Sequence, residues 1–342
     1  MKRIVVLSLA LVVGTAQAQQ ARNQDEVRFR VVATTTQASD LLLTVTEGVE
    51  GLQITSLMSA GVDPHLYQPT ESDIRAIREA DMLVHNGLGL EAQFSAVFRG
   101  LSEQGVRVYA LSDPVKQAGF VMREYDERSG SFGPEDPHFW FDPRNWELSV
   151  VGLAEALSEL DADYAQRYRA NAQAYVEQLQ ALFVWASEAM SSVPEAQRTL
   201  VTSHDAFRYF GAAFGWRVAA VQGISTRDEA GVGDVQAIVD LVASQDIPVL
   251  FIESSVAPNT IRAVVEAAAS RGTMVRLGLR ELYSDAMGQR DSFGGSYVGM
   301  LTENILTILQ SYACAGVTLA IPDWPTILPT LPEELINVDC AI

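Results

Sequence analysis

From Asp161 to Met190 the chain contains neither glycine nor proline, so thirty consecutive residues are free to continue a single helix. Within it Tyr164, Tyr168, Tyr175, Leu179, Leu182 and Ala186 recur at intervals of three, four and seven, which draws one apolar stripe along the rod. At 1.5 Å per residue such a helix is about 45 Å long, enough to cross two lobes. A fold built on this chain has to bury the stripe, and a helix used as a connector is stiffer than a pair of hinge strands.

On either side of the rod, short β-branched runs alternate with helical stretches. Before it, Val27 to Thr35 reads as a strand, Ser39–Val49 as a helix and Leu52–Met58 as a strand. Ser72 and Asp73 then read as the N-cap of a helix through Ala80, and Met82–His85 as a further strand. From Arg198 onward TLVTSH, WRVAAV, VGDVQAIVDLVASQ, IPVLFIESS, TIRAVVEAAASR and TMVRLG repeat the alternation. Strands separated by helices pair in parallel. The expected fold class is α/β, with two parallel-sheet lobes, 27–160 and 198–342, joined by a long rigid helix over 161–192.

The 342 residues carry 24 Lys+Arg against 43 Asp+Glu, a formal net charge of −19. Nucleic acid and anionic lipid would repel such a chain, which excludes either as its main partner. Lys2 and Lys116 are its only lysines. The first residues, MKRIVVLSLALVVGTAQAQQ, combine a cationic start, an apolar run Ile4 to Val13 and the small-x-small sequence Ala16-Gln17-Ala18. They read as a cleavable export signal over 1–18, its apolar run too short for roughly 30 Å of hydrocarbon. No cysteine stands directly after the cleavage point, so the expected product is free in the periplasm, not lipid-anchored. Cys314 and Cys340 are either two free thiols or, in an oxidising compartment, one disulfide whose loop closure is worth about 3 kcal/mol. Neither lies in a CxxC, which disfavours a redox or zinc-thiolate role.

Four histidines stand in unequal surroundings. His65 follows Gly61-Val62-Asp63-Pro64, His138 follows Asp136-Pro137, and His204 ends the apolar run TLVTSH. His85, in Val84-His85-Asn86-Gly87, has no acidic or proline neighbour to orient it. Taken singly, a loop histidine is more often a satisfied polar residue than a ligand. Three of them spread over both lobes, two after strand ends where open α/β sheets bind ligands, make a metal site and a set of unrelated loop residues about equally good readings. Imidazoles with one carboxylate would suit zinc, manganese, iron or copper. Asp285, in Leu282-Tyr283-Ser284-Asp285-Ala286-Met287-Gly288, is the candidate carboxylate, with a turn or capping role as the alternative.

GVDPHLYQPTESD, NGLGLE, DPHFWFDP, TSHDAFRYFG, QGISTRDEAG, FIESSVAPNTI, LYSDAMG and SYVGMLTENI, in order from about Val31 to Leu309, resemble the metal-binding solute-binding proteins of ABC importers, the zinc/manganese receptor family. The resemblance implies one divalent transition metal ion held in the cleft between the lobes, as cargo for a membrane permease. Carried over by motif, it implies His65 and His138 as ligands from the first lobe, and His204 and Asp285 from the second, with no catalytic residue. Each imidazole would need an outer group on its second nitrogen, with Asp63, Asp142, Asp205 and Glu253 as candidates. It also implies a monomer. His85 is left out of the ligand set.

The resemblance bears on the metal too. The zinc-specific branch usually carries a long His-rich loop before the second histidine motif, and here Arg123 to Glu135 contains no histidine. The ESSV, QGIST and SDAMG blocks look like the manganese branch, whereas His204 stands where strict manganese receptors often have Glu. Three imidazoles would favour Zn²⁺ over Mn²⁺ in vitro. The expectation is Mn²⁺ as the transported ion, Zn²⁺ next. One rival is the same fold binding an organic or chelated ligand, which would call for an aromatic-lined pocket with Arg clamps, and Trp140, Tyr67 and Arg227 could be misread as one. Another is a secreted zinc hydrolase, which would need an open coordination position, a general base and usually an HExxH-type pair, none of which the sequence offers.

Overall fold

The computed structural model describes residues 27–126, 131–336 and 340, so the export signal expected over 1–18 lies outside the described residues. The amino-terminal half is β1 (Phe29–Ala33), α1 (Thr36–Val45), β2 (Leu52–Ser56), α2 (Glu71–Arg78), β3 (Met82–His85), α3 (Ser95–Glu103) and β4 (Arg107–Ala110). Its strands are all parallel, in the order β2-β1-β3-β4. Both helix starts differ from the sequence expectation, because threonine hydroxyls cap earlier. Thr35 accepts the Ala38 N–H at 3.1 Å and opens α1 before Ser39. Thr70 caps α2, and Asp73 completes a capping box from the third helical position instead of serving as the cap.

After α4 (Asp113–Gln117) comes an antiparallel hairpin of β5 (Arg123–Asp126) and β6 (Ser131–Glu135), then α5 (Pro143–Leu160) and the long helix α6 (Ala165–Ser191). The rod is 27 residues, about 40 Å, and starts later than the sequence pattern promised. Asp161 ends α5, its N–H on the Leu157 carbonyl at 2.8 Å, and its carboxylate is held by Arg28 at 2.9 and 3.0 Å and by the Tyr168 hydroxyl at 2.9 Å. The chain therefore breaks into a short 3-10 turn, Ala162–Tyr164, and α6 folds back along α5. The stripe is buried at Tyr168, Tyr175, Leu179, Leu182 and Ala186, and half-buried at Tyr164.

The carboxy-terminal half is β7 (Thr199–His204), α7 (Arg208–Phe214), β8 (Arg217–Gln222), α8 (Val232–Gln245), β9 (Val249–Leu250), α9 (Asn259–Ser270), β10 (Arg276–Leu277), α10 (Tyr297–Cys314) and α11 (Glu333–Ile336). The runs IPVLFIESS and TMVRLG make strands of only two residues each, because beyond Leu250 the backbone turns away to pair Glu253 with Leu282. β7 pairs with β8 and β9 with β10, each in parallel, and the Phe251 N–H on the Val201 carbonyl at 2.9 Å joins the two pairs. The order is then β8-β7-β9-β10, the same second-first-third-fourth arrangement as in the amino-terminal half.

One apolar core runs through both halves, from Val31 and Val84 past Leu153, Leu179 and Leu182 to Phe251 and Leu306. At its centre Trp146 stacks on Tyr297 at 5.0 Å and Phe141 packs on Phe207 at 4.4 Å. Cys314 and Cys340 form a disulfide, with Cα atoms 5.3 Å apart. It closes a tail that also packs Trp324 edge-on against Trp185. Among the described residues no helix is long and apolar enough to cross a membrane.

Candidate metal centre

The residues singled out in the sequence reach one point by three local devices. His204 is the last residue of β7, and Glu253 lies three residues past β9, so both stand where the strand order reverses, the crevice in which open α/β sheets bind ligands. His65 and His138 each end an Asp-Pro-His triplet. Proline stiffens each turn, and the aspartate two residues back accepts the histidine's own backbone N–H, at 2.8 Å from Asp63 and 3.0 Å from Asp136. Asp285 sits on a loop pinned on both sides. Asn304 exchanges hydrogen bonds with the Tyr283 backbone at 2.8 and 2.7 Å, and the Thr36 hydroxyl accepts the Met287 N–H at 2.9 Å.

Candidate donor atoms of His65, His138, His204 and Asp285 all lie within 4.8 Å of one another, and all four residues are buried. His65 Nε2 and His138 Nε2 are 3.4 Å apart. His138 Nε2 is 3.2 Å from one Asp285 oxygen, and His204 Nε2 is 3.2 Å from the other. Donors about 2.1 Å from a central ion would be separated by about 3.4 Å in a tetrahedron. Neither Asp285 oxygen nor the His204 Nε2 has a well-formed hydrogen-bond partner, although all three are buried. A buried polar atom left unpaired is costly, and a cation among these atoms would satisfy all of them at once. The carboxylate lies edge-on, offering one oxygen to each flanking imidazole, so the group supplies three nitrogens and one or two oxygens.

The outer groups differ in part from the expected set. Glu253 stands 2.5 Å from His204 Nδ1, as the sequence allowed. His138 Nδ1 is instead on Asp136 at 2.8 Å, a residue the sequence reading passed over although it heads the same triplet as Asp63. Asp63 holds the His65 backbone, not its ring. Asp142 is diverted to cap α5 and to pair with Arg144 at 2.8 Å. Asp205 turns to Arg208, 3.9 Å away. His85 lies outside the group, 3.6 Å from Glu91, which also accepts from Thr34 and from the Asn86 and Gly87 backbone.

The charges are tightly coupled. Burial works against protonating His138, but Asp136 and Asp285 outweigh it and push the imidazole up to about 9. Burial is likewise overcome at His204, which Asp285 and Glu253 hold well above the usual imidazole range. The same imidazoles outweigh burial at Asp285 and keep its carboxyl well below the carboxylate range. His65, with no outer carboxylate, is pushed down to about 4 by burial.

Trp140, Tyr67 and Arg227 are each placed in a way that does not make an aromatic pocket with an arginine clamp. Trp140 is wholly buried, its ring 5.3 Å from that of His138, and Tyr67 donates its hydroxyl to Asp73 at 2.8 Å. Arg227 is exposed.

Residues 31–311 match the family described as zinc-uptake complex component A, periplasmic. The chain belongs to that family. It is 36% identical over 298 residues to the manganese-binding lipoprotein MntA of Bacillus subtilis, covering 87% of this chain and 93% of that one. It is also 36% identical over 314 residues to the zinc-binding protein TroA of Treponema pallidum, covering 90% and 97%. A solved structure of the periplasmic zinc binding protein TroA from Treponema pallidum superposes with a TM-score of 0.76 at 37% identity, over 83% of this chain and 98% of that one. Members of the zinc-uptake family are receptors that hand a solute to an importer, and they are not enzymes.

Proposed function

We propose that the protein is the substrate-binding component of an ABC importer, capturing one divalent transition metal ion between lobes 27–160 and 198–342 and delivering it to a membrane permease. The observation that carries this reading is the convergence of four buried donor residues, among which both Asp285 oxygens and the His204 Nε2 have no good hydrogen-bond partner. His65, His138, His204 and Asp285 are the proposed ligands. They leave no room for a substrate and a nucleophile on the ion, which is what a capture site needs and a hydrolase cannot use.

Mn²⁺ is the proposed cargo. Both Asp285 oxygens face the imidazoles, so five donors can reach one ion, and a mixed nitrogen and oxygen set of that size suits Mn²⁺ better than a closed four-coordinate zinc site. Zn²⁺ is the second reading, favoured by the three imidazoles and by the zinc-binding relative. The protein is proposed to act as a monomer, exported by the signal over 1–18 and free in the periplasm, unlike the relative that is named a lipoprotein.

Elemental analysis of protein isolated from its own periplasm, without added metal or chelator, tests the reading beside His204→Ala. The expected result is about one Mn per chain, lost in the variant. One Zn per chain would keep the receptor and change the cargo. Sub-stoichiometric metal in both samples would overturn the four-ligand site.

A further inference from the structure

The three imidazoles are not held alike. Carboxylates reach the outer nitrogens of His138 and His204, at 2.8 and 2.5 Å. Among the described residues no carboxylate lies within ion-pair distance of His65 Nδ1, and this ring is the one of the three whose side chain retains some exposure, 4%. Its position depends on its backbone, through the Asp63 carboxylate. The other oxygen of that carboxylate accepts the Thr226 hydroxyl at 2.6 Å, from the carboxy-terminal half.

Thr226 is buried, on the segment between β8 and α8. That segment is fixed close to the centre, because the Gly223 carbonyl accepts the N–H of Asp205, the residue after His204. Among the described residues, the Thr226–Asp63 bond is the one side-chain hydrogen bond from segment 59–70 to the opposite half. Away from segment 59–70 the halves are joined many times over. A shared core joins them, the Thr36 side chain accepts the Met287 N–H beside the Asp285 loop, and the Asp40 side chain accepts the Tyr297 N–H. Opening therefore costs least at the His65 loop.

The geometry points to the Thr226–Asp63 hydrogen bond as a latch on the His65 loop, setting how fast a captured metal ion leaves. Thr226 touches no metal and is a positioning residue: it fixes Asp63, Asp63 fixes the His65 backbone, and release of the latch lets His65 swing off first. The inference rests on the proposed metal-receptor function.

The test is the dissociation rate of Mn²⁺, and separately of Zn²⁺, from the full chain, followed by capture with excess chelating dye. Thr226→Val keeps the shape and deletes the hydroxyl. It is expected to speed release about tenfold, the scale of a hydrogen bond to a charged group. Thr226→Ser, which keeps the hydroxyl, should stay within about twofold of the native rate. In a His65→Ala background Thr226→Val should add nothing, since the latch acts through His65. Thr226→Ala repeats the measurement should valine disturb folding, with the melting temperature of the metal-free chain as control. Native release from both hydroxyl-less variants, or serine behaving like valine, overturns the latch while leaving the receptor standing. A native protein that binds neither ion overturns the receptor itself.

Discussion

At the scale of single residues, the proposed metal centre is a cage of carboxylates around imidazoles, whose protons a bound metal would have to replace. Their carboxylate partners raise His138, to about 9, and His204, well above the usual range, which predicts both protonated at neutral pH without metal, whereas burial lowers His65 to about 4 and predicts it neutral. Ligation requires bare nitrogens, so binding at the proposed site would expel the protons on His138 and His204. The sign follows: both groups stay protonated from pH 6 to 8, and lowering the pH across that window weakens apparent affinity. Calorimetric titration at pH 7 in buffers of different ionisation heat should count about two protons released per ion. Release of none would mean that the imidazoles are already neutral and that Asp136 and Glu253 only orient them. Asp136 also marks the limit of reading residues by motif. The triplets at 63–65 and 136–138 are identical in sequence, yet one aspartate reaches its histidine's ring and the other reaches across to Thr226. That choice is made by the tertiary surroundings of each loop, which no local pattern contains.

At the scale of elements, the strand-and-helix alternation and the long apolar stripe were plain in the sequence because periodicity reports directly on which face is buried. What was not plain depended on side chains acting at a distance. Thr35 and Thr70 moved two helix starts, and Asp161, held by Arg28 and Tyr168, split the rod from the helix before it. The second sheet is shorter than its apolar runs suggest for a similar reason: its third strand ends at Leu250, and Glu253 beyond it reaches His204. Helix α10 shows how tightly the Asp285 loop is moulded onto its neighbour. A Cβ at Gly299 would run into the carbonyl of Phe293 and press on the Ser296 hydroxyl that caps the helix. Gly299→Ala is expected to cost about 2 kcal/mol or more by overpacking, lowering the melting temperature by several degrees. Metal affinity should fall with it, because Asp285 is positioned by Asn304 on the same helix. Unchanged melting would mean that the 289–296 turn gives way at little cost.

At the scale of the whole molecule, α6 is less a bridge than a keel. It packs against α5, α1, α7 and α10, and the core beneath it belongs to both halves. Such a chain should melt as one unit. Scanning calorimetry of the metal-free protein is expected to give a single transition whose calorimetric and van't Hoff enthalpies agree, shifted upward by about 2.7 kcal/mol of added stability at free metal a hundredfold above Kd. Two separable transitions would show that the lobes are independent and that the long helix is a true linker. The motifs named the residues that converge on the proposed site, but the core shared by both halves was not legible, because it is a property of packing and leaves no motif.

The donors come from segments as far apart along the chain as His65 and Asp285, and the carboxylate arrives last in order of synthesis. No fragment ending before that loop carries the full set, and a chain misfolded in either half loses part of it. Occupancy is thus a certificate of completed folding. An importer that responds only to the loaded form inspects the quality of its own receptor each time it accepts an ion.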